Sequence, residues 1–399
     1  MELYIHIPFC VKKCRYCDFT SFAGMEDRID AYLTALLSEA AQQQKWVDEP
    51  IETVYIGGGT PSLLSPAQLD RLIRGLSRLY SIEKNAEFTA EANPGTVTDA
   101  WLETARSLGV NRLSLGVQAA QDHLLLQLGR IHRFPDAEIA VARARKAGFR
   151  QLNLDLIFGI PGQTEADWKD TLSRTLDLQP EHISAYGLIP EEGTPLMADL
   201  RAGRLQLPPP EAERAMYETL KDTLRKNGYA QYEISNFARP GAACRHNIGY
   251  WTQKPYLGLG LSAASMLHPH QEGKGIAYTR MQNPNTFALY DRLVHAGEEA
   301  LREAEVISPK EARFETMMLG LRMTHGVSEA DFASMHGMSI MHCYGKKLLG
   351  FQAQGLMDRE NGRWFLTDRG MDIQNAILVE LMEDEPERPG KHDMEEKKE

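Results

Sequence analysis

The sequence predicts an α/β fold: a partial barrel of six β/α units, followed by a C-terminal α+β module of winged-helix-like type. Three observations carry this. Short β-rich runs alternate with helical stretches through the first half of the chain. Polar or glycine-rich motifs follow nearly every one of those runs. A set of helical segments and a hairpin signal stand near the C-terminal end. Strands alternating with helices imply βα units and a parallel sheet. Motifs gathered at strand ends imply the face of a β/α barrel on which sites are built.

The strands are expected at residues 3–7, 53–56, 87–90, 112–115, 152–158 and 182–188. Helical periodicity is expected at 32–46, 66–79 and 136–147 between them. These units place a barrel core over residues 1–190. From Pro190 the rhythm changes. Pro208-Pro209-Pro210 breaks the chain before a helix at 211–226, and a strand-like run at 231–237 leads into an aromatic, glycine-rich stretch, 244–261. That region, 191–300, reads as an extension of the barrel. Helices near 309–322, 328–336 and 340–354 precede a hairpin at 356–367, turned at Asn361-Gly362, and together they make a module over 301–382. Residues 383–399 are mostly charged and are expected to form a disordered tail, because they cannot bury enough surface to offset chain entropy.

The bulk composition narrows the function classes. Of 399 residues, 43% are hydrophobic and 25% charged, which is ordinary for a globular protein with a large core. A formal net charge of −11 argues against a nucleic-acid footprint. No apolar run approaches the roughly 20 residues of a membrane span. The first residues lack the basic and apolar regions of a signal peptide, so a cytoplasmic location is expected. Three of the five cysteines fall within eight residues. An odd, clustered set in a reducing compartment reads as a metal or redox site, not a disulfide framework.

Those cysteines, Cys10, Cys14 and Cys17, are spaced C-x3-C-x2-C directly after the first strand. Thiolates are soft ligands suited to iron–sulfur clusters and to zinc. A closed zinc site wants a fourth ligand, and position 19 is Phe. Three thiolates on a four-iron cluster leave one iron open instead. Lys12, Lys13 and Arg15 add positive charge that favours an anionic cluster.

Further candidates stand at the other strand ends. Gly58, Gly59 and Thr60 can present backbone groups without side-chain obstruction. Glu91 suits hydroxyls or a cationic group, or it is a solvated loop acid. Gln118 offers donor and acceptor, or it is a satisfied core amide. Arg130 can hold a carboxylate, or it makes a surface ion pair. Asp155 lies among Leu154, Leu156 and Ile157, where a lone charge is costly. It binds a ligand or is structurally paired.

With the aromatic Tyr16 just before the last cysteine, this arrangement resembles the radical S-adenosylmethionine (SAM) superfamily. The resemblance implies a 4Fe–4S cluster on the three cysteines and SAM chelating its open iron. It also implies a SAM site from Tyr16, Gly58, Gly59, Thr60, Glu91, Gln118, Arg130 and Asp155. Tyr4, six residues before Cys10, matches the tyrosine beside SAM in the oxygen-independent coproporphyrinogen III oxidase-like branch. The resemblance covers residues 1 to 380.

Within that branch the chain departs from the dehydrogenases. Phe19 stands where they carry a further cysteine, and no counterpart of their long N-terminal extension is expected before Tyr4. The segment from Arg245 to Trp251 contains H-N-x-x-Y-W, which resembles the hallmark of the HemW-like haem chaperones. That likeness implies haem as a further cofactor, with His246, Asn247, Tyr250, Trp251 and Cys244 as candidates to hold it. The alternative is that His246 and Trp251 only stabilise the open side of the barrel. Implied partners are haem and haem-acceptor proteins, with a cluster-dependent homodimer and docking at a membrane surface. No nucleic-acid partner is expected, since Arg359 and Arg363 on the hairpin are balanced by Asp358 and Glu360. The competing activity is coproporphyrinogen III dehydrogenation. No residue is assigned a catalytic role.

Overall fold

A period of two runs through the barrel strands and decides which side chains face the lumen. The computed structural model describes residues 1–268 and 275–382, so the expected tail at 383–399 lies outside the described residues. Strands β1 (Glu2–Ile7), β2 (Ile51–Gly58), β3 (Ile82–Ala92), β4 (Arg112–Gln118), β5 (Gln151–Phe158) and β6 (His182–Gly187) pair in sequential order, all parallel. One set of alternate residues is apolar and buried: Leu3, Ile5 and Ile7; Val54 and Ile56; Leu113 and Leu115; Leu152, Leu154 and Leu156. The other set is largely polar. Register places Glu2 beside Thr53 and Thr53 beside Glu87. Tyr4, Tyr55, Thr89 and Arg112 form the next row, and Glu91, Ser114, Asn153 and His182 the next. Helices therefore cover the apolar face, and the lumen is polar.

The helices are α1 (Ile29–Gln43), α2 (Pro66–Leu79), α3 (Asp99–Ser107), α4 (Phe134–Lys146) and α5 (Glu165–Asp177). α2 has the bounds expected from sequence. Ser65 caps it in a reciprocal box with Gln68, Pro66 opens the first turn, and Leu69, Leu72, Ile73 and Leu76 bury one face. Thr164 and Asp167 form the same box on α5.

The sheet continues beyond the barrel strands. Tyr256–Leu259 adds in parallel to the free side of β1, and Ala264–Leu267 returns antiparallel to it. At the other side, Asn236–Ala238 pairs antiparallel with β6 and then with Ala230–Glu233. The run expected as one strand at 231–237 is thus a tight hairpin. Its cause is local. The buried carboxylate of Glu233 accepts hydrogen bonds from the Ser235 backbone N–H (3.0 Å) and from the Asn236 side chain, which folds the chain back.

The chain divides into two compact units, a barrel unit (residues 1–250, 254–268 and 279–305) and a C-terminal unit composed mainly of residues after 305. The second has its own core around Phe332, Leu348 and Trp364, in which Cys343 is buried. Helices Pro309–Gly320, Glu329–His336 and Ile340–Ala353 match expectation. The hairpin pairs Met357–Glu360 with Arg363–Leu366, and a short strand, Val327–Ser328, adds to it. Asn361 and Gly362 are both left-handed (φ 49° and 71°), the turn their sequence predicts. Helices Asp368–Asp372 and Gln374–Met382 were not expected, and the second closes the core with Ile377 and Leu381. Both hairpin arginines are engaged within the unit: Arg359 with Glu329, and Arg363 with the carbonyls of His325 and Gly326. Among the described residues no helix is long and apolar enough to cross a membrane.

Candidate functional site

All six barrel strands end at one cavity of about 370 Å³. Its wall includes Cys10, Cys14, Cys17 and Tyr16 from the loop after β1, and Gly58, Gly59 and Thr60 after β2. Glu91, Gln118, Arg130 and Asp155 line it as well. The loop is held from below. Arg15 N–H donates to Leu128 O (2.9 Å), the Arg15 carbonyl accepts from Leu196 N–H (2.9 Å), and the Arg15 guanidinium pairs with Asp199. Phe9 pairs with Phe22 across the loop's base. The three cysteines are partly exposed, and none of the five in the chain is in a disulfide. Burial pushes the Cys10 thiol up and raises that of Cys17 to about 11.

The charges around the cavity oppose one another. Glu91 accepts from Tyr55 Oη (2.8 Å) and from the Gly58 backbone N–H (3.1 Å). Burial, and then the nearby Asp155, push its carboxyl up to about 7 despite those donors. Asp155 accepts from Ser114 Oγ (2.9 Å) and Asn153 Nδ2 (2.7 Å), and burial raises it too. Both readings of Asp155 meet here, since it is paired from below and lines the cavity. Arg130 donates to Cys14 Sγ (3.4 Å) and Gly116 O (2.8 Å), while its buried Nε has no partner. It faces the cysteine loop and not solvent, which removes the surface ion-pair alternative. Gln118 holds a left-handed backbone (φ 70°) at the cavity wall, a conformation a non-glycine residue adopts at local cost.

Some expected residues lie elsewhere. Tyr4 is below the cavity and is not part of its wall, with its hydroxyl 3.0 Å from His6 Nδ1. The position facing the cavity in that row belongs to Tyr55, which the sequence reading did not single out. Ser114 and Tyr186 were also missed. Alternation of polar and apolar residues puts all three on the polar face of their strands, but which of them reach the cavity depends on register between strands.

The H-N-x-x-Y-W segment forms a short helix, Arg245–Trp251. Glu87 accepts from the backbone N–H groups of Arg245 and His246 (3.0 Å each) and so satisfies its N-terminus. His246 is buried, with Nδ1 2.7 Å from Thr53 Oγ1 and Nε2 2.9 Å from Tyr250 Oη. Burial lowers its pKa to about 3. Both ring nitrogens are thus engaged inside the barrel. Cys244 is buried as well. Its thiol contacts Glu87 (3.4 Å) and is pushed to about 12 by burial. Asn247 and Tyr250 are half-buried, and Trp251 lies under the Arg322 guanidinium at 4.4 Å.

Comparison with known proteins settles the family. The heme chaperone HemW of Lactococcus lactis is 37% identical over 96% of this chain and 97% of its own length. The chain belongs to the HemW family of the radical SAM superfamily. HemW of Bacillus subtilis is also 37% identical, over 94% of this chain and 97% of its own. The Radical SAM superfamily model matches residues 4–175, and the HemN C-terminal domain model matches residues 307–373. The structure of coproporphyrinogen III oxidase (HemN) from Escherichia coli shares the fold, with a TM-score of 0.81 over 96% of this chain and 90% of that one, at 23% identity.

Membership of the radical SAM superfamily implies a 4Fe–4S cluster and SAM, and the donors of this HemW-family cavity fit both. Among the described residues no three His, Cys, Asp or Glu side chains converge on a single ion. The cysteines instead share the wall of a cavity with room for a larger group. The unpartnered Arg130 Nε adds a donor, and the glycines add a close-fitting backbone. A Cβ on Gly59 would lie 2.7 Å from the carbonyl oxygens of Ile7 and Phe9, which cannot move aside without breaking strand contacts. Gly59→Ala is expected to destabilise the barrel by ~1–3 kcal/mol. Gly350→Ala, exposed on a helix with open space around it, is expected to be neutral or mildly stabilising. Urea unfolding of the two variants checks this.

Proposed function

We propose that this chain is a haem chaperone on a radical SAM scaffold: it binds haem and passes it to haem-dependent acceptor proteins. The observation that carries the reading is the near full-length likeness to heme chaperones of the HemW family, at 37% identity. In this reading Cys10, Cys14 and Cys17 hold the 4Fe–4S cluster. Such a cluster supplies single electrons and, with three thiolate ligands, keeps one iron open to a chelating ligand. Arg130 balances thiolate charge beside Cys14 and offers its Nε to a SAM carboxylate. The backbone of Gly58–Thr60 receives the amino-acid end of SAM, Glu91 and Asp155 its hydroxyls, and Tyr16 and Gln118 line the rest. Tyr4 supports this wall from below.

Phe19, at the place of the further cysteine in the dehydrogenases, is exposed at the cavity mouth and brings no thiol to it. In this reading haem meets the segment Arg245–Trp251 through its half-buried residues Asn247 and Tyr250. The chain is expected to work in the cytoplasm, as a cluster-dependent homodimer that docks at membrane surfaces where acceptors reside.

The test uses anaerobically reconstituted protein with SAM, reductant and coproporphyrinogen III. The expected result is no protoporphyrinogen IX by chromatography, with stoichiometric haem binding followed at the Soret band. Conversion of the porphyrinogen would replace this reading with the dehydrogenase.

A further inference from the structure

We infer that His246 is a positioning residue for the SAM cavity, acting through the ring of Tyr55 on the carboxylate of Glu91, and not an iron ligand. The inference rests on the proposed SAM site, and it gives the H-N-x-x-Y-W segment a role there that its burial permits.

The contacts form one continuous path. Thr53 and Tyr250 hold the imidazole by its two nitrogens, which fixes the plane of the ring. That plane lies against Tyr55, with centroids 5.2 Å apart and rings inclined by 26°. Tyr4 stacks on the same phenol at 6.3 Å and 29°. Confined by both, Tyr55 donates from its hydroxyl to Glu91 Oε1 (2.8 Å), and Glu91 faces the cavity. Gly57 leaves the passage open. A Cβ there would lie 2.8 Å from the Tyr55 ring and 2.9 Å from the Glu91 carboxyl.

The helix that carries His246 is built to stay in place. Glu87 binds its first backbone N–H groups, and Gly249 packs directly on the Glu2 carboxyl, with no room for a side chain. Burying a polar ring costs free energy unless both nitrogens are satisfied, and here both are. Held at both nitrogens, the ring has one orientation, and in it the imidazole face lies on Tyr55.

The experiment is calorimetric SAM binding to the reconstituted protein, with haem binding read in parallel from the Soret band. His246→Ala is expected to weaken SAM binding on the order of tenfold, as loss of an outer supporting group does. Cluster iron and haem stoichiometry should stay unchanged. His246→Phe keeps an aromatic face against Tyr55 but loses both hydrogen bonds, so it is expected to recover SAM affinity in part, whereas an axial ligand would be lost in both variants. Tyr55→Phe removes only the hydroxyl. It should match His246→Ala, and the double variant His246→Ala/Tyr55→Phe should be no worse than either. Wild-type SAM affinity in Tyr55→Phe overturns the inference even if His246→Ala fails to fold. Haem lost from both His246 variants with SAM binding intact also overturns it. Glu91→Gln separates the two levels: normal SAM affinity there removes the underlying site and the inference together, while weakened affinity with a silent His246→Ala removes the inference alone.

Discussion

Cys14→Ala is expected to leave the reconstituted protein without its cluster: iron and sulfide fall from about four of each per chain to below one, and the visible charge-transfer absorption disappears. The reason is the donor set. Cys10, Cys14 and Cys17 share one cavity wall and are partly exposed, so all three can reach a cluster placed between them. Two thiolates do not replace three, and the described residues offer no three His, Cys, Asp or Glu side chains converging elsewhere. The loss of Cys14 also strips Arg130 of its sulfur acceptor and leaves a buried guanidinium facing an uncharged methyl group. Cys244→Ala and Cys343→Ala are the controls and should keep full cluster content. Cys244 is turned towards Glu87 with its thiol held protonated by burial, and Cys343 is packed in the core of the C-terminal unit. A cluster retained in Cys14→Ala, or lost equally in Cys343→Ala, would contradict this ligand assignment. Zinc in place of iron and sulfide would contradict the cluster itself.

What the sequence made legible was local. The cysteine spacing, the glycine run and the acids at strand ends follow directly on their strands, so reading the strands was enough to place them on one face. Helix α2 was readable to the residue because Ser65, Pro66 and Gln68 mark its start chemically. The lumen was not readable in the same way. Tyr55 differs from an ordinary strand tyrosine only by its register with Tyr4 and Thr89, which depends on pairing across separate strands. His246 was harder still. An imidazole beside aromatic rings on a short helix looks the same whether it is displayed to a ligand or buried, and its decisive partner, Thr53, lies 193 residues earlier. The hairpin at Ala230–Ala238 was missed for a different reason, since a single buried carboxylate turns what alternation alone presents as one strand.

The opposite end of the lumen yields the second large effect. Stability of the cluster-free protein is expected to fall as pH rises from about 5 to 9, and Glu2→Gln is expected to remove much of that fall. Glu2 is fully buried on β1, with the Thr53 side chain as the hydrogen-bonding neighbour of its carboxyl. Burial raises its pKa from 4.5 to about 8. Lys254 and Thr53 act against the rise, and Glu87 adds to it. His246 Nδ1 lies 4.0 Å away but carries no charge at these pH values, so it gives the carboxylate no counter-ion. The folded protein therefore binds a proton more tightly here than the unfolded chain does. Its contribution is fully present below pH 4.5 and is lost as pH rises through about 8. At 1.36 kcal/mol per pKa unit, the whole window corresponds to at most about 5 kcal/mol. Glutamine copies the shape of the neutral acid and does not ionise. The variant should match the wild type near pH 5 and gain on it steadily, reaching a few kcal/mol by pH 9. Comparing the two proteins at each pH by urea unfolding under reducing conditions isolates this group from the cysteines and the other acids, which titrate in both. Parallel stability profiles would mean that the carboxylate is solvated or paired when ionised, and that the Glu2 end of the lumen is wetter than its packing against Gly249 indicates.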